Sequence, residues 1–149
     1  MSEGGLELAE HVAETLDIGP GTRVFEVDCG NGEFLFPLHQ NGYIVGGIDG
    51  DPAAIKQAIA AMPDGLFQVG LAAALDPAVP WDVVVCRSLR GAPSNDYIRG
   101  LVARMLAKAT HAIALIDVPE QHHQSLMHAM TEAGAQAIQI EGAHLFARV

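Results

Sequence analysis

A chain of 149 residues, half of them apolar, can bury one core of ordinary size, and residues 1–149 are read as a single domain. Its formal charge of −10 repels phosphate backbones and anionic lipid, so neither nucleic acid nor a membrane is an expected partner. The start MSEGGLELAE has no basic, apolar leader, and no run approaches the roughly 20 apolar residues of a spanning helix, so the expected location is cytoplasmic. Two cysteines, Cys29 and Cys86, both in apolar runs, read as buried thiols of a reducing compartment. Neither a disulfide nor a metal site is expected, since the histidines show no ligand spacing.

In chain order, Leu6, Ala9, Val12, Ala13 and Leu16 form the apolar stripe of a first helix, which ends before Gly19-Pro20-Gly21. Arg23 to Asp28 reads as a strand, Cys29-Gly-Asn-Gly32 as a glycine turn, and the stretch from about Glu33 as a helix. The unit repeats, with a strand from Tyr43 to Asp49 and a helix from Pro52 to Met62 whose proline suits a first helical turn. Leu66 to Val69 is a weak third strand. Trp81 to Cys86 is a strong fourth, because three consecutive valines suit a strand covered on both faces. A helix capped by Asn95 or Asp96 runs to about Lys108, and His111 to Val118 reads as a fifth strand closed by Pro119. Gln121 to Ala133 is a helix stopped by Gly134, and Ala137–Glu141 and His144–Val149 form a hairpin around Gly142-Ala143. Met62, Met105, Met127 and Met130 are read as core residues. Alternating strands and helices predict an α/β fold with a doubly wound parallel sheet and an antiparallel partner at the end.

In such sheets ligands settle beyond the C-terminal strand ends, which directs attention to Glu26–Glu33. Gly30 and Gly32 allow a tight turn and close backbone approach. Asp49 lies about 20 residues beyond this loop, where a carboxylate can accept both hydroxyls of a ribose. Together these features point to a nucleoside.

Val24-Phe-Glu-Val-Asp-Cys-Gly-Asn-Gly32 resembles the first motif of the class I S-adenosylmethionine-dependent methyltransferases. Gly47-Ile-Asp-Gly-Asp-Pro52 resembles the second, and Trp81-Asp-Val-Val-Val-Cys86 the fourth-strand motif. The resemblance extends over almost the whole chain and implies a Rossmann-like, mostly parallel sheet of seven strands with a C-terminal antiparallel hairpin. It also implies S-adenosylmethionine as cofactor. Glu26 would then reach the methionyl amino group through water, Gly30 and Gly32 would pass beneath the methionine moiety, and Asp49 would hold the ribose. Gly50 and Asp51 would lie near the adenine.

Two positions depart from the family pattern. Asp28 stands where the first glycine is usual, and Leu71 where an acid or amide follows the third strand. A carboxylate at Asp28 would face the cofactor carboxylate, and Arg87, just past the fourth strand, is expected to supply the intervening charge. Asp28, Arg87 and Arg90 each also read as an ordinary loop residue. His122 or His123, near the rim, could serve as a general base, although a pair of exposed polar residues at a helix start is the more ordinary reading.

The expected activity is methyl transfer to an unidentified small-molecule or protein acceptor, with no catalytic residue assigned. The competing reading is a non-catalytic relative serving as a binding or regulatory partner. An NAD-dependent enzyme fits less well, because Cys29-Gly-Asn-Gly-Glu-Phe-Leu lacks a third glycine at the expected place. The positive mean hydropathy of +0.23 and the terse connections around the acceptor side suggest a homodimer.

Overall fold

The computed structural model describes residues 3–76, 78–87 and 94–149. Helix α1 (Glu3–Leu16) leads into β1 (Arg23–Val27), α2 (Leu35–Gln40), β2 (Ile44–Asp49), α3 (Pro52–Ala61) and β3 (Leu66–Val69). After these come β4 (Trp81–Cys86), α4 (Asn95–Lys108), β5 (Ala109–Leu115), α5 (His123–Glu132), β6 (Ala137–Glu141) and β7 (His144–Arg148). The strands form one seven-stranded sheet in the order β3-β2-β1-β4-β5-β7-β6. Strands β1 to β5 pair in parallel, and β7 inserts antiparallel between β5 and β6.

Strand periodicity explains the two layers. Phe25 and Val27 of β1, with Val84 and Cys86 of β4, face a core completed by Ile98, Val102 and Met105 of α4 and Leu126 and Met130 of α5. Val24, Val83 and Val85 face the other side, against Val12 and Leu16 of α1, Leu35 and Leu38 of α2 and Ile55 of α3. The valines of β4 are thus buried on both faces, as their run predicts. Pairing of Glu26 with Val85 places Glu26 on the α1/α2 side, and Arg87, two residues beyond Val85, continues that side past the end of β4.

Several boundaries differ from expectation, each for a local reason. Strand β5 starts at Ala109, because Ala109 already pairs with Trp81 ahead of a register shift. It ends at Leu115 instead of Val118, since Asp117 adopts a left-handed backbone (φ +53°) that no strand continues. The cap of α4 is Ser94, whose side-chain oxygen accepts from Tyr97 N at 3.1 Å, so neither Asn95 nor Asp96 serves. A 3₁₀ turn, Glu120–His122, follows Pro119 and delays α5 to His123. Gly142 (φ +60°) opens a two-residue turn that sets Glu141 opposite His144. Met62, Met105 and Met130 are buried, whereas Met127 lies on the outer face of α5 and is 37% exposed. Both thiols are buried.

Lys108, at the end of α4, is buried with its ammonium donating to the carbonyls of Asp76 (2.7 Å) and Val79 (2.8 Å). It also lies 4.8 Å from the Phe25 ring centroid. Burial pulls its pKa below the ordinary lysine value. Among the described residues, no helix is long and apolar enough to cross a membrane.

Candidate functional site

Beyond Val27 the chain leaves the sheet through Asp28, held at φ +55°, a conformation that glycine adopts freely and aspartate better than most residues. This explains how an acid occupies a position where the motif has glycine. Gly30 (φ +56°) and Gly32 (φ +84°) complete the turn. The loop is fastened to β2 at two points: Cys29 N donates to Ile48 O (3.1 Å), and Gly30 N donates to Asp49 Oδ2 (2.8 Å). It can lie this close because Gly47 beneath it has no side chain. A Cβ there would be 2.7 Å from Cys29 Sγ.

Asp49 is half-buried, and its second oxygen accepts from Asp51 N at 2.9 Å. An ionised carboxylate offers about four acceptor sites, so two amide donors fix its orientation and leave capacity on both oxygens. Asp51 has a structural task of its own, capping α3 by accepting from Ala53 N at 3.0 Å.

Glu26 is fully buried at the end of β1. Its Oε2 accepts from Arg87 Nε at 2.5 Å, while Oε1 is buried with no hydrogen-bond partner among the described residues. Burial outweighs the lowering influence of Arg87, and the carboxyl is pushed up to about 7. Arg87 itself is held over the Phe34 ring, 5.2 Å from its centroid. Arg87 lines the cleft together with Asp28, and the acid its Nε pairs with is Glu26, a partnership the sequence did not indicate. Burial, followed by the charge of Asp49, raises the Asp28 carboxyl above its ordinary value. Burial, then Glu26, pushes the Cys29 thiol up to about 12, which makes it a poor nucleophile.

A cleft of about 660 Å³ opens at the C-terminal strand ends. Asp28, Gly30, Asp49 and Arg87 line it, as do Cys29, Asn31, Glu33 and Asp117. Glu26, Gly32, Gly50 and Asp51 are not among the lining residues. Gly32 is accounted for by its left-handed backbone (φ +84°), and a Cβ there would also meet the flexible end of Met62, Cε, at 2.5 Å. Asp117 escaped sequence reasoning because it sits inside an apolar run read as strand. Its amide donates to His144 Nδ1 at 3.1 Å, which fixes the turn that brings it to the cleft. Neither His122 nor His123 lines the cleft, and His123 Nε2 instead donates to Val118 O at 3.0 Å. Leu71 is 69% exposed and lies beside Gly50. Arg90 falls outside the described residues.

A parallel five-stranded core with an antiparallel seventh strand, carrying a glycine loop and an acid at the end of β2, is the fold of the class I S-adenosylmethionine-dependent methyltransferases. The magnesium protoporphyrin IX methyltransferase of Synechocystis PCC 6803, solved with bound S-adenosylmethionine, superposes with a TM-score of 0.82 at 18% identity. That superposition covers 97% of this chain and 79% of that one. The amino pentose methyltransferase CalS10 of Micromonospora echinaspora, also solved with S-adenosylmethionine, gives a TM-score of 0.76 at 16% identity. It is matched over 98% of this chain and 90% of its own. In sequence, 59 residues are 37% identical to an uncharacterized methyltransferase of Synechocystis sp.. The match takes in 40% of this chain and only 28% of that relative's length. No family model matches the sequence.

Proposed function

We propose that the chain binds S-adenosylmethionine in the cleft at the strand ends and transfers its methyl group to a small-molecule or protein acceptor. The observation that carries this reading is Glu26, a buried carboxylate at the strand ends with one oxygen paired to Arg87 and the other lacking a donor among the described residues. A buried acceptor left without a partner is costly, and the amino group of a methionyl moiety would satisfy it. Asp49, oriented by two amides with acceptor capacity remaining, suits a ribose diol. Gly30 and Gly32 would carry the loop beneath the methionine portion, Gly50 and Asp51 would border the adenine, and Asp28 and Arg87 would flank the carboxylate end.

When bound, the cofactor supplies a methyl group already electrophilic on its sulfonium. The protein then has to hold the acceptor in line with it and exclude water, and a general base is needed only where the acceptor must give up a proton. Asp117, at the end of β5, stands on the side of the cleft away from Asp49, where an acceptor would enter. The chain would act in the cytoplasm as a single domain, singly or as a homodimer.

Calorimetric titration with S-adenosylmethionine and S-adenosylhomocysteine tests the reading, with Asp49→Ala as control. Micromolar binding to the wild type that is lost in the variant is the expected result. Absence of binding at millimolar ligand would overturn the reading and leave a non-catalytic partner protein with an emptied cleft.

A further inference from the structure

Acidic charge is unevenly spread along the chain. Residues 1–22 hold five acids and no lysine or arginine, so half of the formal charge of −10 is carried before Arg23. On α1 the acids Glu7, Glu10 and Glu14 are exposed, and none of them has an ion pair among the described residues. Glu10 and Glu14, one helical turn apart, stand on the rim of a groove of about 340 Å³ between α1 and α2. The wall below them is apolar. Ala9 and Ala13, also one turn apart, offer no side chain beyond Cβ opposite Pro37, Leu38 and Tyr43, and this shortness keeps the groove open. Tyr43 is fixed there by donating its hydroxyl to Ile18 O at 3.1 Å. Asn41, on the far rim, donates Nδ2 to Pro37 O at 3.0 Å and so presents its own carbonyl oxygen. Among the described residues no lysine or arginine lines the groove, and the polar groups at its rim are acceptors. The groove lies at the N-terminal ends of β1 and β2, away from the cleft at the other end of the same strands, and shares no lining residue with it.

We propose that this groove docks a basic amphipathic helix of a partner protein, with the apolar stripe of that helix seated between α1 and α2 and its lysines or arginines paired with Glu10 and Glu14. The shape calls for an elongated occupant. The lining follows α1 from Leu6 to Glu14, about 12 Å or roughly two turns, and Leu6 at its open end is 42% exposed. A helix laid alongside presents apolar residues at spacings of three and four over that length. Charge then selects the partner. A second copy in a symmetric contact would bring Glu10 and Glu14 against their own kind, and an anionic membrane surface would meet the same repulsion. A basic helix instead gains ion pairs at the edge of an apolar contact, and the acidic first 22 residues steer its approach. Docking at this end leaves the cleft open, so the inference goes beyond the function proposed above and does not depend on it.

The test titrates the intact protein with a synthetic peptide of about 15 residues, made of leucine, alanine and lysine, with leucines at helical spacings and lysines on both flanks. One control peptide carries glutamate in place of lysine, and a second has the same composition in scrambled order. Followed by backbone amide shifts in NMR, the lysine peptide is expected to bind with a dissociation constant of roughly 10–100 μM and to shift the α1 and α2 residues that line the groove. Both controls are expected to bind at least about tenfold more weakly. Glu10→Lys combined with Glu14→Lys should weaken the lysine peptide about tenfold, whereas Asp96→Lys combined with Glu132→Lys, the same change in net charge placed on α4 and α5, should alter it by less than about threefold. Ala13→Leu, which fills the groove and leaves the charge alone, should also weaken it about tenfold. Shifts centred outside the groove, equal binding of the lysine and glutamate peptides, equal losses in the two charge-reversed pairs, or no binding at millimolar peptide would each overturn the inference. The site of the shifts and the preference among peptides are read on the unaltered protein, so a variant that misfolds does not shield the inference from refutation.

Discussion

Replacing Glu26 by glutamine should change how stability depends on pH more than it changes stability itself. Glu26 is fully buried, and its carboxyl rises from an ordinary 4.5 to about 7 in the folded protein. Below pH 4.5 both folded and unfolded chains hold the proton, and the group takes nothing from stability. Between 4.5 and about 7 the folded state keeps a proton that the unfolded state has released, so stability falls as pH rises through that window. Above about 7 the loss is complete. At about 1.4 kcal/mol per pH unit it amounts to roughly 3 kcal/mol. A glutamine side chain at this position has the same shape and no titration, so this component of the slope disappears in the variant. Arg87 loses its ionic partner, but its side chain is 29% exposed, so it adds only a constant offset. Urea unfolding followed through Trp81, the single tryptophan and a buried one, reads both proteins from about pH 4.5 to about pH 8. Taking the difference cancels the remaining carboxylates. The stability of Glu26→Gln relative to wild type should grow by about 3 kcal/mol across the range. A difference constant to within about 0.5 kcal/mol would refute the argument, and would mean that Arg87 holds Glu26 ionised throughout.

If the cofactor's ammonium settles against Glu26 Oε1, it draws that carboxyl back toward its ordinary value, and binding near pH 7 should release up to about half a proton. Titration with S-adenosylmethionine in phosphate and in Tris would show this as a buffer-dependent enthalpy that vanishes in Glu26→Gln; identical enthalpies with the wild type would count against the contact. Gly47→Ala places a Cβ 2.7 Å from Cys29 Sγ and 3.0 Å from Glu26 O, so the glycine loop must lift away from β2. We expect about 1–3 kcal/mol of destabilisation together with weaker cofactor binding; an unaltered urea midpoint and an unaltered affinity would show that the loop has room to spare.

The strands were legible in the sequence wherever an apolar run had unambiguous ends. Trp81–Cys86 and Leu66–Val69 coincide with their predicted limits, and the hairpin around Gly142-Ala143 needed only its glycine. Errors arose where a local backbone choice cut across an apolar run. Ile116-Asp-Val118 is as apolar as the strand before it, yet φ of +53° at Asp117 takes it out of the sheet and turns an apparent strand residue into one that lines the cleft. The available signal was an acid immediately before Val118-Pro119. The partnership of Glu26 with Arg87 spans 61 positions and depends on the register of β1 against β4, which puts both side chains on one face. Composition and motif spacing carry no such register. The same limit applies to Gly47, which reads as an ordinary strand glycine until the loop is seen lying on it.

Among the described residues, the two buried charged side chains are Glu26 and Lys108, and the contrast between them separates architecture from function. Lys108 is fastened by two carbonyls and an aromatic face, an arrangement that closes the underside of α4 and leaves little for a ligand to add. Glu26 is given one partner for two oxygens, at the end of the sheet where Asp28 and Asp117 also adopt left-handed turns that favour glycine. Had selection acted on stability alone, a glutamine or an apolar residue at position 26 would serve better, since burial of an incompletely paired carboxylate opposes folding. Asp17, after α1, adopts the same left-handed backbone away from the cleft, so the incompletely paired carboxylate of Glu26 is what marks the cleft end as a place where a bound group completes the structure. The same reasoning makes Glu26, and not the more recognisable glycine turn, the residue whose alteration most directly separates a working cofactor site from an inherited fold.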